Sequence, residues 1–212
     1  MEPIEEGYFY HIYNRGAGRL NLYWSPDDYR EFIRKYRYYL FPAIQTYAWC
    51  LMNNHFHALI RVRTVDEQGE LFKLLKKEFD SGYFHGSMDP QVMPFVASKQ
   101  LSHLMNSYTR YINKKRERTG TLVEGPLKRK KIIDEANFLH LVCYIHRNPI
   151  HHKVCANYTD YKYSSYNDYL QNRNLVIERE WVLDQFGGMK NFYEAHEEFK
   201  LRLDSDEDLY LE

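Results

Sequence analysis

Apolar and polar residues alternate over residues 8–15, with Tyr8, Tyr10 and Ile12 on one side of an extended chain and Phe9, His11, Tyr13 and Arg15 on the other. That period of two predicts a strand. Helical spacing follows. Ser25-Pro26-Asp27-Asp28 supplies an N-cap, a first-turn proline and two acids at the positive helix end, and Tyr29, Phe32, Ile33, Tyr36 and Leu40 form the apolar stripe. Residues 44–51 and 55–63 read as two strands joined through Met52-Asn53-Asn54. Residues 66–79 form a candidate accessory helix, and a Gly-rich irregular stretch then runs to Pro94. Leu101, Leu104, Met105, Tyr108 and Ile112 mark one face of a long helix, and residues 121–133 suit a strand or hairpin. Asp134 caps a further helix with Phe138, Leu141, Val142 and Ile145 as its buried stripe, and Pro149 predicts its end near Asn148.

Strand, helix, strand, strand, helix, strand, helix predicts an α+β sandwich, its helices on one face of a mainly antiparallel sheet. The other face is expected to stay open, with His55, His57, Leu59 and Arg61 on it and the helix after Asp134 as its wall. Residues 1–155 make up this domain. Residues 156–212 are expected to be a C-terminal extension whose Tyr-rich start and residues 181–186 pack back on the domain, ending in an acidic tail.

Two segments carry candidate chemistry. In Asn53-Asn54-His55-Phe56-His57-Ala58-Leu59-Ile60, strand alternation places both imidazoles on the face opposite Phe56, Ala58, Ile60 and Val62. That spacing suits joint ligation of one divalent cation; the competing reading is two partly exposed histidines on a strand. In Cys143-Tyr144-Ile145-His146-Arg147-Asn148-Pro149, Tyr144 and Asn148 lie one helical turn apart and reach the same small volume. A phenol and an amide there offer a nucleophile and a third metal ligand. With 20 tyrosines in the chain, plain packing is the rival role for any one of them.

At these residues the chain resembles the single-tyrosine HUH transposases, most closely the REP-associated tyrosine transposases. His55-Phe56-His57 matches the His-hydrophobic-His motif, and Tyr144 and Asn148 match the nucleophile and the amide ligand four residues on. The resemblance extends to residues 7–16 as opening strand, 47–54 as the approach to the histidines, 107–113 as the long helix, and Ser164-Ser165-Tyr166 and residues 181–187 in the tail. Residues 122–128 depart from it, since relatives usually carry a Phe-Gln-Gly-Arg type of segment there; this bears on fine DNA contacts. The resemblance implies a ferredoxin-like or RRM-like sandwich. It also implies a magnesium or manganese ion on His55, His57 and Asn148, and Tyr144 attacking a phosphate to leave a covalent 5′-phosphotyrosine. The implied partner is single-stranded DNA bearing hairpins, of the repetitive palindromic kind, bound by a monomer or homodimer in the cytoplasm at the nucleoid. His140, one turn before Tyr144, is a further candidate, with a surface histidine as the plain alternative. Two other functions stay open: a HUH nickase of the replication-initiator or relaxase kind, for which His11 is a candidate third histidine, and a non-catalytic nucleic-acid-binding relative.

Composition agrees with a non-membrane enzyme. No apolar stretch nears the length of a membrane span and no secretory leader pattern opens the chain. Cys50, Cys143 and Cys155 form no zinc or disulfide spacing, as in a reducing compartment. Net charge is zero, but its distribution is uneven. Arg110, Lys114, Lys115, Arg116, Arg118, Lys128, Arg129, Lys130 and Lys131 stand against two acids between residues 110 and 131, while residues 197–212 hold seven acids and two bases. Local patches govern nucleic-acid affinity, so the two basic clusters, with Arg61, are candidate phosphate contacts. Asn14 and Arg15, at the end of the first strand, are the candidates for reading base edges. Aromatics at 17% suit base stacking, although packing accounts for most of them.

Overall fold

The computed structural model describes residues 3–84, 94–171 and 177–201. Strands β1 (Phe9–Arg15), β2 (Ile44–Leu51), β3 (His55–Val62) and β4 (Lys128–Ile132) form one antiparallel sheet in the order β2-β3-β1-β4. Helix α1 (Pro26–Leu40) joins β1 to β2. The shorter α2 (Val65–Leu74) and α3 (Lys76–Asp80) precede α4 (Ala97–Lys115), which leads to β4. The βαββαβ path with this strand order is the ferredoxin-like arrangement.

The first face packs as its alternation predicts. Tyr10, Ile12, Phe56, Ala58 and Ile60 are buried against Phe32 of α1 and Leu104 and Tyr108 of α4. Asp28 Oδ2 accepts from the backbone N–H groups of Trp24 (2.9 Å) and Ser25 (3.0 Å), capping the start of α1. Thr64 and Glu67 cap α2 reciprocally.

The second face is covered, which corrects the expectation of helices on one face alone. Helix α5 (Glu135–His151) lies across it, backed by α6 (Tyr166–Gln171), α7 (Arg179–Phe186) and α8 (Met189–Leu201). The reason is the chemistry of the face: Ala48, Cys50 and Leu59 are as apolar as the residues opposite, and they are buried against the α5 stripe of Leu141, Val142 and Ile145. Helix α5 also runs past Asn148 to His151 with Pro149 inside its last turn. A proline there forfeits a single helical hydrogen bond, and the bonds from His152 N–H to Asn148 O (3.0 Å) and Val154 N–H to Pro149 O (2.8 Å) complete the end.

A buried polar chain ties the C-terminal helices to the sheet. His196 Nδ1 donates to Phe192 O (2.7 Å), His196 Nε2 accepts from His146 Nδ1 (2.8 Å), and His146 Nε2 accepts from the Ser165 hydroxyl (2.8 Å). Ser165 Oγ in turn accepts from Trp49 N–H of β2 (2.9 Å). Burial holds the His146 imidazole well below its ordinary value and lowers His196 to about 4, so both rings are neutral links in this chain. No helix among the described residues is long and apolar enough to cross a membrane.

Candidate active site

The register of β1 and β3 sets the site. Arg15 lies opposite His55, Tyr13 opposite His57 and His11 opposite Leu59, so His11, Tyr13, Arg15, His55 and His57 share one face of the sheet. Helix α5 crosses that face and delivers Tyr144 and Asn148 from one side of the helix. His55 Nε2 lies 3.0 Å from Asn148 Oδ1. The Tyr144 ring stands edge-on to His57, centroids 5.7 Å apart, and to His11 at 6.3 Å. His57, Tyr144 and Asn148 are buried, at 3%, 5% and 2% exposure, whereas His55 is half-buried. Two segments some 90 residues apart thus converge on one point.

Each histidine of the pair is held by its Nδ1. His55 Nδ1 lies 2.8 Å from Asn54 Oδ1, and His57 Nδ1 lies 2.9 Å from His11 Nε2. Burial, followed by the neighbouring His11, His55 and His152, pushes His57 well below the usual imidazole value. Burial and then the Lys130 charge lower His11 to about 3. These two rings are therefore neutral at neutral pH, the form in which an imidazole ligates a cation. Both His55 nitrogens face amide oxygens, so with its single proton on Nδ1 toward Asn54 the ring would present a lone pair at Nε2 beside the oxygen of Asn148. Two ligands on one octahedral cation with bonds of about 2.1 Å stand about 3.0 Å apart, so this pair fits one edge of such a site. Among the described residues no group of three or more His, Cys, Asp or Glu is arranged to hold a metal ion. The set here is instead two imidazoles and an amide.

Beside these residues a groove of about 540 Å³ runs over the ends of β1 and β3, lined among others by Asn14, Arg15, Arg19, His55, Lys128 and His152. Arg15 is paired with Glu124, and Asn14 is buried with its Oδ1 accepting from Arg15 N–H (2.8 Å). Lys128 extends over the Tyr13 ring, 5.7 Å from its centroid, and Lys130 lies opposite His11 on the same face. Arg19, Asn54 and His152 line the groove as well, beyond the residues that the sequence pattern marks. Arg19 and His152 stand in segments whose groove position depends on the folded chain, while Asn54 adjoins His55 and carried a readable signal.

The other predicted basic residues do not gather at the groove. Lys115 (2.5 Å) and Arg116 (3.2 Å) are bonded to the buried Asp28 carboxylate. Burial pushes that carboxyl up, but the bonds from Lys115, Trp24 N–H and Arg116 outweigh it and set it at about 2. Arg118 donates to Asn113 Oδ1 and Thr121 O, each at 3.0 Å. Arg61 is bonded to Gln45 and Glu67 at the far end of β3, and Lys131 to Glu5. Arg129 points to the α4 side of the sheet, lining a smaller hollow of about 240 Å³ with Asn14, Ser98, Ser102 and Asn106. Arg110 and Lys114 are exposed on α4. His140 packs edge-on against Phe199, centroids 4.8 Å apart, on the side of α5 facing α8.

Neither a family model nor a curated protein matches the sequence. Among solved structures, the chain is similar to a REP-associated tyrosine transposase bound to a REP hairpin, with a TM-score of 0.55, 14% identity, and coverage of 82% of this chain and 86% of that one. A bacterial tRNA(His) guanylyltransferase-like protein in complex with ATP aligns with a TM-score of 0.34 and 10% identity over 82% of this chain and 74% of that one. The shared architecture is thus the α+β fold of a tyrosine transposase, with its four-stranded antiparallel sheet and helices.

Proposed function

We propose that this protein is a metal-dependent DNA strand transferase of the single-tyrosine HUH kind, closest to the REP-associated tyrosine transposases. In this reading it cuts and rejoins hairpin-bearing single strands through a 5′-phosphotyrosine. One observation carries it: Tyr144 and Asn148 from one turn of α5 meet the two imidazoles of His55-Phe56-His57, at 3.0 Å for His55 to Asn148 and 5.7 Å between the His57 and Tyr144 rings.

A magnesium or manganese ion held by His55, His57 and Asn148 would draw charge off the oxygens of the scissile phosphate. Every other part of the step belongs to the chain. The Tyr144 oxygen bonds to phosphorus as the bond from phosphorus to the 3′-oxygen breaks; the phenol loses its proton and the departing oxygen gains one. A free phenol ionises near pH 10, so nearby positive charge has to assist it. The Tyr144 hydroxyl is buried, so the phosphate must displace its cover to reach it. Because the phosphoryl bond stays covalent, a second 3′-hydroxyl can reverse the step without nucleotide hydrolysis. Arg15, Arg19, Lys128 and Lys130 line or approach the groove and would hold the DNA backbone there.

The test is a denaturing gel of the protein incubated with hairpin-bearing single-stranded DNA and manganese. A metal-dependent band of protein joined to DNA supports the reading. Tight binding of that DNA with no joined species under any metal points instead to the non-catalytic relative.

A further inference from the structure

His11 lies 2.9 Å through Nε2 from His57 Nδ1, the rings nearly parallel at 19° and both side chains buried. A neutral imidazole has one N–H, so this bond has two arrangements. If His11 donates, the His57 proton sits on Nε2 and that nitrogen cannot ligate. If His57 donates, its Nε2 carries a lone pair toward the groove. Only the second arrangement suits a cation at Nε2. At the neighbouring histidine both nitrogens face amide oxygens, Nδ1 that of Asn54 at 2.8 Å and Nε2 that of Asn148 at 3.0 Å, so the Asn54 oxygen is placed to take the single proton and leave Nε2 for a cation shared with Asn148. His11 occupies the corresponding position behind His57.

We propose that His11 is a positioning residue: by accepting the Nδ1 proton of His57 it sets the tautomer and ring orientation that let His57 Nε2 hold a divalent cation. The inference rests on the reading that His55 and His57 bind such a cation. It assigns His11 a role behind the site, and not that of a third ligand: its Nε2 is turned to His57, and its Nδ1 is buried with no hydrogen-bond partner among the described residues. In a metal site the partners behind the ligands orient them and raise their basicity, and their loss typically lowers affinity about 10- to 100-fold.

The amides distinguish the roles. A glutamine oxygen reaches the place of the imidazole Nε2, whereas an asparagine oxygen stops near the place of Nδ1. Manganese titrations by calorimetry on wild type, His11→Gln, His11→Asn and His11→Leu should show His11→Gln near wild type, and the other two weaker by about 10- to 100-fold. Pulsed electron resonance of bound manganese should count two ligating imidazoles in both wild type and His11→Gln. Three in wild type and two in His11→Gln would make His11 a ligand and overturn the proposal. Equal affinity in all four proteins would overturn it as well, while leaving the metal reading intact. Wild type that binds no manganese would overturn both. Thermal melts identify a variant that fails to fold; because His11→Asn is as polar as His11→Gln, that pair decides the matter if His11→Leu does not fold.

Discussion

His55 Nε2 and Asn148 Oδ1, 93 residues apart in the chain, face each other across 3.0 Å. The contact joins the start of β3 to the last turn of α5, and it brings the two motifs together. Removing either side should therefore loosen cation binding. His55→Ala and His57→Ala are expected to weaken manganese affinity more than Asn148→Ala, because an imidazole is the stronger donor and water can replace an amide oxygen. Calorimetry checks the order; histidine variants with wild-type affinity would remove the cation from the account.

The basic residues divide by what they touch. Lys128 and Lys130 lie on the groove face, so changing each to alanine should weaken all hairpin sequences alike and lower the salt slope of DNA binding by about one per residue. Lys115 and Arg116 are bonded to buried Asp28, so Asp28→Ala should cost about 2–3 kcal/mol of stability through the lost cap and ion pairs. Chemical denaturation and a salt series separate the two effects. A stability loss on changing Lys128, or an unchanged salt slope there, would reverse the assignment.

The His146–His196 link makes the packing of the C-terminal helices sensitive to acid. His196 falls from 6.5 to about 4 on folding, so between those values the unfolded chain binds the extra proton. Its contribution is intact above about pH 6.5 and is lost as pH falls toward 4, up to about 3 kcal/mol in all. Denaturation at pH 7.5, 6 and 5 should show stability falling with pH, and His196→Gln should remove up to one proton from that slope while lowering stability at neutral pH. An unchanged slope in the variant would exclude His196 as a source.

Local pattern made much of this visible in advance. Alternation placed His55 and His57 on one face, and helical spacing put Tyr144 and Asn148 one turn apart; both are properties of a few consecutive residues. The covering of the second face was half legible: Ala48, Cys50 and Leu59 are plainly apolar, but nothing local says that α5 is the element that buries them. The bonds of Lys115 and Arg116 to Asp28 span 87 and 88 residues, and the His11–His57 bond needs a diagonal pairing between β1 and β3. Charge runs and isolated histidines carry no information about such distant partners. Pro149 misled for a different reason, since the pull of a proline toward ending a helix is weaker than the packing that buries Asn148 on α5.

The most direct measurement maps the covalent bond. Wild-type protein and Tyr144→Phe are incubated with hairpin-bearing single-stranded DNA and manganese, digested, and the peptides carrying nucleotide identified by mass spectrometry. The account predicts a phosphotyrosine–nucleotide adduct on Tyr144 in wild type, linked through the 5′ phosphate of the strand that lies 3′ of the cut, and none in Tyr144→Phe, whose DNA affinity stays within about twofold on the view that the hydroxyl acts in the chemical step and not in binding. An adduct that persists in Tyr144→Phe, or that maps to another tyrosine in wild type, would contradict it.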